Sequence, residues 1–426
     1  MIKEFQKISK IEGELNLPGD KSISHRSVMF SAMAEGESKI FNLSNGEDVK
    51  SSQKCFRQLG AEIIQEKDYI IVKGCGFKGF KKPSAPLDAG NSGTTARLIS
   101  GILIAQDFES ELIGDEYLSI RPMKRIVTPL TAMGGKIMAS EKFTLPLKFF
   151  PADEIVPINY ELPMASAQVK SAILLAGLYS EKPTTVIEKI PSRDHTEKML
   201  GLKTIINEQG KINYSSKENY PVPKEYYVPS DISTAAFFIV LTLLSKDSSL
   251  RIKNVSLNET RTGIIEVLKK MGGHIEVDNF REAAGEPLGD IIIVSSNLKN
   301  IDIPVKIIPN IIDEIPVLAI AGILSHGEFT IRNAEELRGK ETDRINALCY
   351  NFRLLGLAVN EYDDGFEVSG KIKNKNVVFE SFNDHRIAMA FSILSFLLDE
   401  GGKVNNFDCV NISNPDFLLQ VNSITR

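Results

Sequence analysis

The sequence is poor in several residue types that mark particular protein classes. Its 426 residues include no tryptophan, and the only cysteines, Cys55, Cys75, Cys349 and Cys409, are scattered without a Cys-x-x-Cys pair. This spacing argues against a zinc ribbon and against the disulfide framework of a small secreted domain, so we expect reduced thiols. The longest apolar run, Ala235–Leu244, is about half of the ~20 residues that cross a bilayer, which predicts a buried helix.

Other absences narrow the partners and the chemistry. With 50 Lys and Arg, 55 Asp and Glu and 8% aromatic residues, the chain has a formal net charge of −5 and is not expected to bind nucleic acid. It has no Walker motif, no Gly-x-Ser-x-Gly elbow and no His-Glu-x-x-His, which argues against a P-loop kinase, a serine nucleophile and a metal site. Met1–Leu17 lacks the basic start and apolar run of a signal peptide, so we expect a cytoplasmic protein without a membrane partner.

A similar unit recurs along the chain at intervals of roughly 70 residues. Each unit opens on a short segment rich in Ser, Asn, Asp or Thr that leads into an apolar helix, usually followed by a short strand. The openings are Ser22–Arg26, Asn91–Thr95, Ala165–Gln168, Pro229–Ser233, Ile312–Glu314 and Asn383–Arg386. The helices predicted after them are Val28–Ala34, Ala96–Ala105, Val169–Leu178, Ala235–Leu244, Ile315–Ile323 and Ile387–Leu398.

The number of units predicts the domain organisation. Six α/β units are too many for one core of ordinary domain size, so three plus three is the simplest division, with a hinge at Val228–Ser230. The polar openings are typical of helix N-caps, and each helix N-terminus offers unpaired N–H groups and about half a positive charge. Helix starts that converge would form a site for anions.

Basic residues are concentrated at or near these openings, although the net charge is negative. Any one of them could instead be solvated surface, the usual position of charged side chains. Their repeated placement beside helix starts favours a site for small, multiply charged anions, which Arg grips through two parallel hydrogen bonds. The set comprises Lys21, Arg26, Arg97, Arg121, Lys124, Arg125, Arg193, Lys340, Arg344 and Arg386.

Two carboxylates stand within this basic background. Asp313 lies at a helix start and is either an N-cap or a general base. Glu341 is either an ion-pair partner of its basic neighbours or an acid/base group. Burial and nearby cations shift the proton affinity of a carboxylate in opposite directions, which is typical of acid/base sites.

Long, ordered motifs give the chain a resemblance to a known family. They are Leu17–Arg26, Gly90–Thr95, Arg121–Met123, Arg338–Arg344 and Asn383–Arg386. From end to end the chain resembles the 5-enolpyruvylshikimate-3-phosphate synthases, and Ser192–Glu197 with Arg121–Arg125 resembles their class II members. The resemblance implies an α/β fold of two domains, each an inside-out α/β barrel of three βαβαββ repeats. Residues 21–229 would form the upper domain and residues 1–20 with 230–426 the lower, with hinges near 20 and 229.

The resemblance also implies a reaction. The enolpyruvyl group of phosphoenolpyruvate would be transferred to the 5-hydroxyl of shikimate 3-phosphate with release of phosphate, in the shikimate pathway to chorismate and the aromatic amino acids. No metal or organic cofactor is implied. The enzyme would act on these two small molecules as a cytoplasmic monomer.

Carried over motif by motif, the resemblance assigns three groups of residues. The catalytic group would be Asp313, which takes the 5-hydroxyl proton, and Glu341 with Lys21, which handle the proton at the methylene carbon. Shikimate 3-phosphate would be bound by Lys21, Ser22, Arg26, Ser166, Ala167, Gln168, Arg193, Asp313 and Lys340. Phosphoenolpyruvate would be bound by Lys21, Gly93, Arg121, Gln168, Arg344 and Arg386. The cations would stabilise a tetrahedral adduct.

The chain departs from the family pattern at two places, and two alternative functions stay open. Ala167 stands where other members have a serine, and Val410–Pro415 lacks a lysine that many relatives carry there. UDP-N-acetylglucosamine enolpyruvyl transferases share the fold but have a cysteine in a mobile loop, and the comparable stretch Gly114–Arg125 has none. The other alternative is a non-catalytic sensor of phosphorylated metabolites, against which Asp313 and Glu341 argue.

Overall fold

A computed structural model describes residues 1–425, in which helices alternate with short strands. The α-helices are α1 (Lys21–Met33), α2 (Glu47–Gln58), α3 (Gly93–Leu103), α4 (Glu116–Ser119), α5 (Lys124–Ala132), α6 (Ala167–Gly177), α7 (His195–Leu200), α8 (Ile232–Leu244), α9 (Gly263–Lys270), α10 (Ile308–Ile311), α11 (Ile315–Leu324), α12 (Arg344–Leu354), α13 (His385–Leu397) and α14 (Phe417–Ile424). The strands are β1 (Lys3–Phe5), β2 (Glu12–Asn16), β3 (Glu35–Phe41), β4 (Glu62–Gln65), β5 (Tyr69–Cys75), β6 (Leu87–Asp88), β7 (Ser110–Ile113), β8 (Lys136–Met138), β9 (Leu147–Phe150), β10 (Asn159–Glu161), β11 (Thr184–Glu188), β12 (Thr204–Asn207), β13 (Gly210–Ser215), β14 (Glu225–Tyr227), β15 (Ser249–Ser256), β16 (His274–Ala283), β17 (Glu286–Val294), β18 (Phe329–Ile331), β19 (Ala358–Tyr362), β20 (Gly365–Ser369), β21 (Val378–Glu380) and β22 (Gly402–Asn405).

The chain divides into two compact units. The middle unit contains residues 19–228 and 282–286, and the terminal unit contains residues 1–18, 229–281 and the chain from 287 onward. The boundaries lie beside the positions near 20 and 229 that the sequence analysis proposes as hinges. Hinge motion at those positions stays a prediction.

The middle unit holds its helices inside and its sheets outside. Its central helices, α1, α3 and α6, are buried around most of their circumference, which suits their largely apolar or small residues. The close approach of α3 and α6 requires glycine, because a Cβ on Gly101 would lie 2.1 Å from the carbonyl oxygen of Ala172. The surrounding sheets have the strand orders β14-β3-β5-β4, β6-β7-β9-β8 and β10-β11-β13-β12.

Repeats of βαβαββ form run over residues 87–150 and 159–215 of this unit. In each, the two strands that flank the central helix pair in parallel, β6 with β7 and β10 with β11. The first repeat differs, because β2, which precedes α1 in the chain, lies in the terminal unit. The strand β14 takes that place in the middle unit and pairs in parallel with β3, Glu225 opposite Lys39.

The terminal unit repeats this plan around α8, α11 and α13, all largely buried. Its sheets have the orders β16-β17-β15-β2, β18-β20-β19 and β1-β22-β21. The strand β2 pairs in parallel with β15, and β1 pairs antiparallel with β22. Within residues 1–425 no sheet closes on itself into a barrel. The predicted α/β fold, with helices inside and sheets outside in each half, is confirmed.

Most helix starts agree with the predicted openings. Side chains of Ser92, Ser166, Asp231 and Asp384 cap α3, α6, α8 and α13. The prediction for the first helix is wrong, because α1 begins at Lys21 and its cap is Asp20, so that Ser22–Arg26 is helical. The start was not predicted because Ser and His in the first turns of α1 interrupt the apolar pattern from which the helix was identified.

No single helix in the described part of the chain is long and apolar enough to cross a membrane. A bent pair, Val305–Ile311 and Ile315–Leu324, passes that test together, with an angle of 116° between its parts. The second of these helices, α11, lies in the core of the terminal unit.

Candidate active site

The start of α1 places a lysine and an arginine of the middle unit. Asp20 accepts the N–H of Ile23 at 3.0 Å and so fixes where the helix begins. Lys21, the first helical residue, is half-buried and donates to Asp48 Oδ2 on α2 at 2.9 Å. This ion pair holds the ammonium group of Lys21 at the helix start, where backbone N–H groups add positive potential.

Arg26 lies five residues further along α1 and is 3% exposed. Its Nε donates to Thr196 Oγ1 at 2.7 Å, and its Nη2 donates to Ser171 Oγ at 2.8 Å. Its Nη1 donates to the carbonyl of Ser22 at 3.0 Å. Burial lowers the pKa of Arg26 to about 10, although Glu197 acts in the opposite direction, so the guanidinium is charged at neutral pH.

The starts of α3 and α6 form a second group in the same unit. Gly93 opens α3, and a Cβ at this position would lie 2.5 Å from Nη1 of Arg97 and 3.5 Å from Nη1 of Arg121. Arg97 donates to Gln168 Oε1 at 2.8 Å, and Gln168 in turn donates to Thr94 at 3.0 Å. Two arginines therefore lie against a helix N-terminus without a side chain at its first residue, an arrangement suited to an anion.

The remaining predicted residues of this unit lie on the elements that carry these groups. Ser166 caps α6, Ala167 is its first residue, and the methyl group of Ala167 supplies no hydrogen bond. Arg193 lies in the segment between β11 and α7, close enough to Arg26 for their charges to interact. Lys124 and Arg125, in contrast, are exposed, the position that the surface alternative predicts.

In the terminal unit the predicted residues converge on Arg344, the first residue of α12, which is 1% exposed. Its Nε donates to Asp384 Oδ2 at 2.8 Å. Its two terminal nitrogens reach Asp313 Oδ1 at 3.3 Å and Glu341 Oε2 at 2.7 Å. Despite burial, these carboxylates raise the pKa of Arg344 above the ordinary value of arginine. One guanidinium therefore gathers both candidate acid/base groups.

The geometry bears on the alternative roles of the two carboxylates. Asp313 is not a helix cap, because α11 has Glu314 at its N-cap position and no side-chain cap hydrogen bond. Its carboxylate lies 3.7 Å from Lys340 Nζ, and it is partly exposed, as is that of Glu341. Both groups combine an adjacent cation with access from outside, which a proton carrier needs.

Arg386, at the start of α13, lies beside the same cluster. Its Nη1 donates to the backbone carbonyl of Asp313 at 2.9 Å and lies 3.8 Å from Oε1 of Glu314. Glu314 is fully buried, accepts a hydrogen bond from Ser233, and lies 3.7 Å from Nη2 of Arg261. The buried carboxylate of Glu314 thus forms an ion pair with Arg386 from the core side.

No histidine or cysteine is among the residues to which the predictions assign a part in this chemistry. Burial, with Lys21 and Arg26 nearby, lowers the pKa of His25 well below its usual value, and His25 is hydrogen-bonded to Ser52 at 2.8 Å. All cysteines of the described residues are free thiols; Cys55 and Cys349 are buried, whereas Cys75 and Cys409 are only partly so. Within residues 1–425 no three His, Cys, Asp or Glu side chains are grouped as metal ligands would be.

Several partners of the predicted residues were not identified from the sequence. Asp48, Ser171, Thr196, Asp384 and Glu314 each contact a predicted side chain. Asp384 lies inside the quoted motif Asn383–Arg386 and could have been found there. Thr196 and Glu314 likewise lie inside the quoted segments Ser192–Glu197 and Ile312–Glu314, whereas Asp48 and Ser171 lie outside the quoted motifs and far in sequence from their partners.

A family model described as "EPSP synthase (3-phosphoshikimate 1-carboxyvinyltransferase)" matches residues 5–420 of the chain. A 3-phosphoshikimate 1-carboxyvinyltransferase of Petrotoga mobilis is 46% identical over 419 residues, 97% of either chain. One from Alkaliphilus metalliredigens is 45% identical, over 99% of either chain.

Solved structures give the same result. An EPSP synthase from Acinetobacter baumannii superposes with a TM-score of 0.88 and 40% identity, covering 100% of this chain and 98% of that one. The enolpyruvyl transferase NikO from Streptomyces tendae shares the fold, with a TM-score of 0.75 over 100% of this chain and 97% of its own, at 14% identity.

Proposed function

This chain belongs to the EPSP synthase family, and we propose that the two carboxylates bound by Arg344 and the basic side chains at the helix N-termini carry out its reaction. The enzyme is a 3-phosphoshikimate 1-carboxyvinyltransferase, which transfers the enolpyruvyl group of phosphoenolpyruvate to shikimate 3-phosphate. The observation that supports the residue roles is the convergence of Asp313 and Glu341 on Arg344.

In this proposal each substrate is bound by its own set of residues, and Lys21 and Gln168 belong to both sets. The phosphate and carboxylate of shikimate 3-phosphate are bound at Ser22, Arg26, Ser166, Ala167, Gln168, Arg193 and Lys340, with Lys21 and Asp313. Phosphoenolpyruvate is bound at Gly93, Arg121, Arg344 and Arg386, with Lys21 and Gln168. The support is chemical, because guanidinium groups bind planar carboxylates and phosphates through paired hydrogen bonds.

The first step forms a tetrahedral adduct and begins with Asp313 ionised and Glu341 protonated. Asp313 takes the proton of the 5-hydroxyl as that oxygen bonds to carbon 2 of phosphoenolpyruvate, while Glu341, assisted by Lys21, delivers its proton to the methylene carbon. The product is a methyl-bearing carbon that carries both the ether oxygen and the phosphate. The surrounding cations stabilise the charge on this adduct.

The second step removes phosphate. Glu341 takes a proton back from the methyl group, the carbon–oxygen bond to phosphate breaks, and the carbon–carbon double bond re-forms. The proton held by Asp313 leaves with the phosphate, so both carboxylates return to their starting state.

The proposal is tested by following phosphate release with each substrate alone and with both together. We expect release only when shikimate 3-phosphate and phosphoenolpyruvate are both present. Turnover with UDP-N-acetylglucosamine as the acceptor, or release with phosphoenolpyruvate alone, would contradict it. We also propose that the enzyme is a cytoplasmic monomer. Sedimentation of the purified enzyme tests the monomer, and fractionation of cells that produce it tests the location.

A further inference from the structure

A cluster of buried charges lies behind the proposed shikimate 3-phosphate residues of the middle unit, and the reaction steps above do not use it. Lys170, on α6, has a side chain that is 0% exposed, and its Nζ lies 2.8 Å from Glu188 Oε2 and 2.7 Å from Glu197 Oε1. The two glutamate side chains are also buried. These three residues are called the Lys170 cluster below.

The Lys170 cluster closes the base of the loop that carries Arg193. Glu188 is the last residue of β11 and Glu197 lies in the first turn of α7, so Lys170 joins the two ends of the segment 189–194. Within the loop, Ser192 donates its N–H to Glu188 Oε1 at 3.0 Å and also donates its hydroxyl to that atom. Lys170 donates to the carbonyl of Ser192 at 3.4 Å. Arg193 therefore directly follows a residue that the cluster holds in place.

The same lysine ties this loop to the start of α6. Lys170 lies in the first turn of that helix, two residues after Gln168. The next residue, Ser171, is hydrogen-bonded to Thr196 at 2.7 Å, and both hydroxyls accept from Arg26. The helices α6 and α7 are thus joined by two adjacent contacts, Lys170 to Glu197 and Ser171 to Thr196. Arg26 donates hydrogen bonds to both residues of the second contact.

A buried ion cluster is a poor means of gaining stability, because apolar residues of the same volume serve as well or better. The hydrogen bonds of Lys170 and Ser192 to Glu188 do constrain geometry, since each needs a short distance and a defined direction, and the ion pair with Glu197 fixes a distance. Burial alone would lower the pKa of Lys170, but Glu197 and Glu188 outweigh it and raise the pKa above the usual value, so the lysine is charged at neutral pH. Glu197 also favours the charged form of Arg26.

We propose that Lys170, Glu188 and Glu197 are positioning residues, which hold the Arg193 loop and α7 against α6 so that Arg26 and Arg193 meet the phosphate of shikimate 3-phosphate in a preset geometry. This inference rests on the proposed function, because it takes that phosphate as the anion. The three residues themselves do not touch the substrate.

The test replaces the whole cluster by neutral side chains of similar size, Lys170→Met with Glu188→Gln and Glu197→Gln. Changing all three leaves no member of the cluster as a buried, unpaired charge, and Arg26 keeps its hydrogen bonds to Thr196 and Ser171, so the protein should fold. The readout is the Kd of shikimate 3-phosphate measured by calorimetry without phosphoenolpyruvate, beside kcat with both substrates saturating. We expect the Kd to rise by about tenfold to a hundredfold, as for a misplaced binding group, with kcat within about twofold of the unchanged enzyme.

Two further variants frame the result. Glu197→Gln alone keeps the charge-matched pair Lys170–Glu188 and the loop contacts but loses the ion pair between Lys170 and α7. Its Kd for shikimate 3-phosphate should therefore lie between the Kd of the unchanged enzyme and that of the triple variant. Lys189→Met is the matched control, because it removes an exposed ion pair with Glu161 from the same loop. Its Kd should equal that of the unchanged enzyme.

The outcomes separate this inference from the function on which it rests. If the unchanged enzyme releases no phosphate with both substrates, the proposed function fails. If it does, but the triple variant and Glu197→Gln bind shikimate 3-phosphate as the unchanged enzyme does, the positioning role is overturned. A thermal unfolding temperature that falls while Kd stays constant would show a purely structural cluster. Should the triple variant not fold, the Kd of Glu197→Gln decides.

Discussion

Among single residues, Arg344 is the one that contacts both proposed acid/base groups of the terminal unit. Asp384 is fully buried, caps α13 and accepts from Nε of Arg344, so it holds the guanidinium from behind. The two terminal nitrogens are thereby directed to Asp313 and Glu341. A rigidly held guanidinium can exchange one carboxylate partner for a substrate anion without moving itself, which is what a binding group near a proton carrier requires.

The base assignment predicts the effect of a single substitution. Asp313→Asn keeps the size of the side chain but cannot take the 5-hydroxyl proton, so kcat should fall by roughly 10²–10⁴-fold, the usual contribution of a positioned acid/base group. Steady-state phosphate release measures the change. Asp399→Asn, which alters an exposed ion pair with Lys7, is the control and should leave kcat unchanged. Near-normal turnover of a folded Asp313→Asn enzyme would show that another group is the base.

Thiol reactivity supplies a second prediction at this scale. Burial raises the pKa of Cys55, Cys349 and Cys409 to about 12, and it also raises the pKa of Cys75. Because the thiolate is the reactive form and all of these pKa values are raised, the native protein should have little thiolate at neutral pH. Iodoacetamide at pH 7.5 should therefore leave activity intact, and alkylation, followed by mass spectrometry, should become fast only after denaturation. Inactivation by alkylation of the native enzyme would place a cysteine in the reaction.

Among the elements, the helix starts carry most of the proposed binding groups. Lys21, Gly93, Ala167, Arg344 and His385 are the first residues of α1, α3, α6, α12 and α13. Each N-terminus has unpaired N–H groups and a partial positive charge, so the fold supplies cationic surface in addition to the side chains. Five of the central buried helices begin with a polar side-chain cap, which fixes these starts to within one residue.

Gly93→Ala tests the start of α3. The new methyl group would lie 2.5 Å from Nη1 of Arg97, the mobile end of a long side chain, so the arginine should move away and weaken its bond to Gln168. We expect a higher KM for phosphoenolpyruvate, a smaller change in the KM for shikimate 3-phosphate, and little loss of stability. Gly339→Ala is a suitable control, since a Cβ there meets no atom within 4 Å. Equal KM values for phosphoenolpyruvate in Gly93→Ala and the unchanged enzyme would exclude this site for it.

For the whole molecule, the order of elements in the chain differs from their order in space. The strands β2 and β14 each pair within the unit that does not contain the helix following them in the chain. The N-terminal segment is therefore part of the terminal unit, although nearly all of that unit comes after residue 228. The chain passes from the terminal unit to the middle unit after residue 18 and returns after residue 228, and the sheets of the terminal unit contain strands from both of its segments.

Deletion of residues 1–18 tests this dependence. It removes β1 and β2 with the buried side chains of Phe5, Ile11, Leu15 and Leu17. At about 1.5–3 kcal/mol each, these side chains contribute about 6–12 kcal/mol, similar to the whole stability of a typical domain. We expect the terminal unit of the shortened chain to lose its cooperative thermal transition, as followed by calorimetry, and activity to disappear.

A peptide of residues 1–18 added to the shortened chain provides the control. Both β1 and β2 are edge strands of their sheets. The peptide can therefore pair with the neighbouring strand, and it should restore part of the thermal transition at high concentration. A shortened chain that melts as the full one does would show that these strands are dispensable.

The sequence by itself determined the elements and their repetition. Apolar helices such as α8 and α11 and the caps Ser92 and Ser166 follow from local side-chain and backbone preferences, so they could be predicted without the fold. The recurrence of those local signals also predicted three repeats per half. The motifs indicated the family and, through it, the candidate site residues, whose individual roles stay predictions.

Only the tertiary structure decided which residues meet. Arg26 reaches Thr196, and Arg344 reaches Asp384, because helices far apart in the chain pack together, α1 with α7 and α12 with α13. The Lys170 cluster shows the limit most clearly: a lysine in an apolar helix is visible in the sequence, but its partners Glu188 and Glu197 are not. The pairing of β2 with β15 is equally hidden. Local preferences act over a few residues, whereas these contacts depend on backbone geometry set by the packing of the entire core.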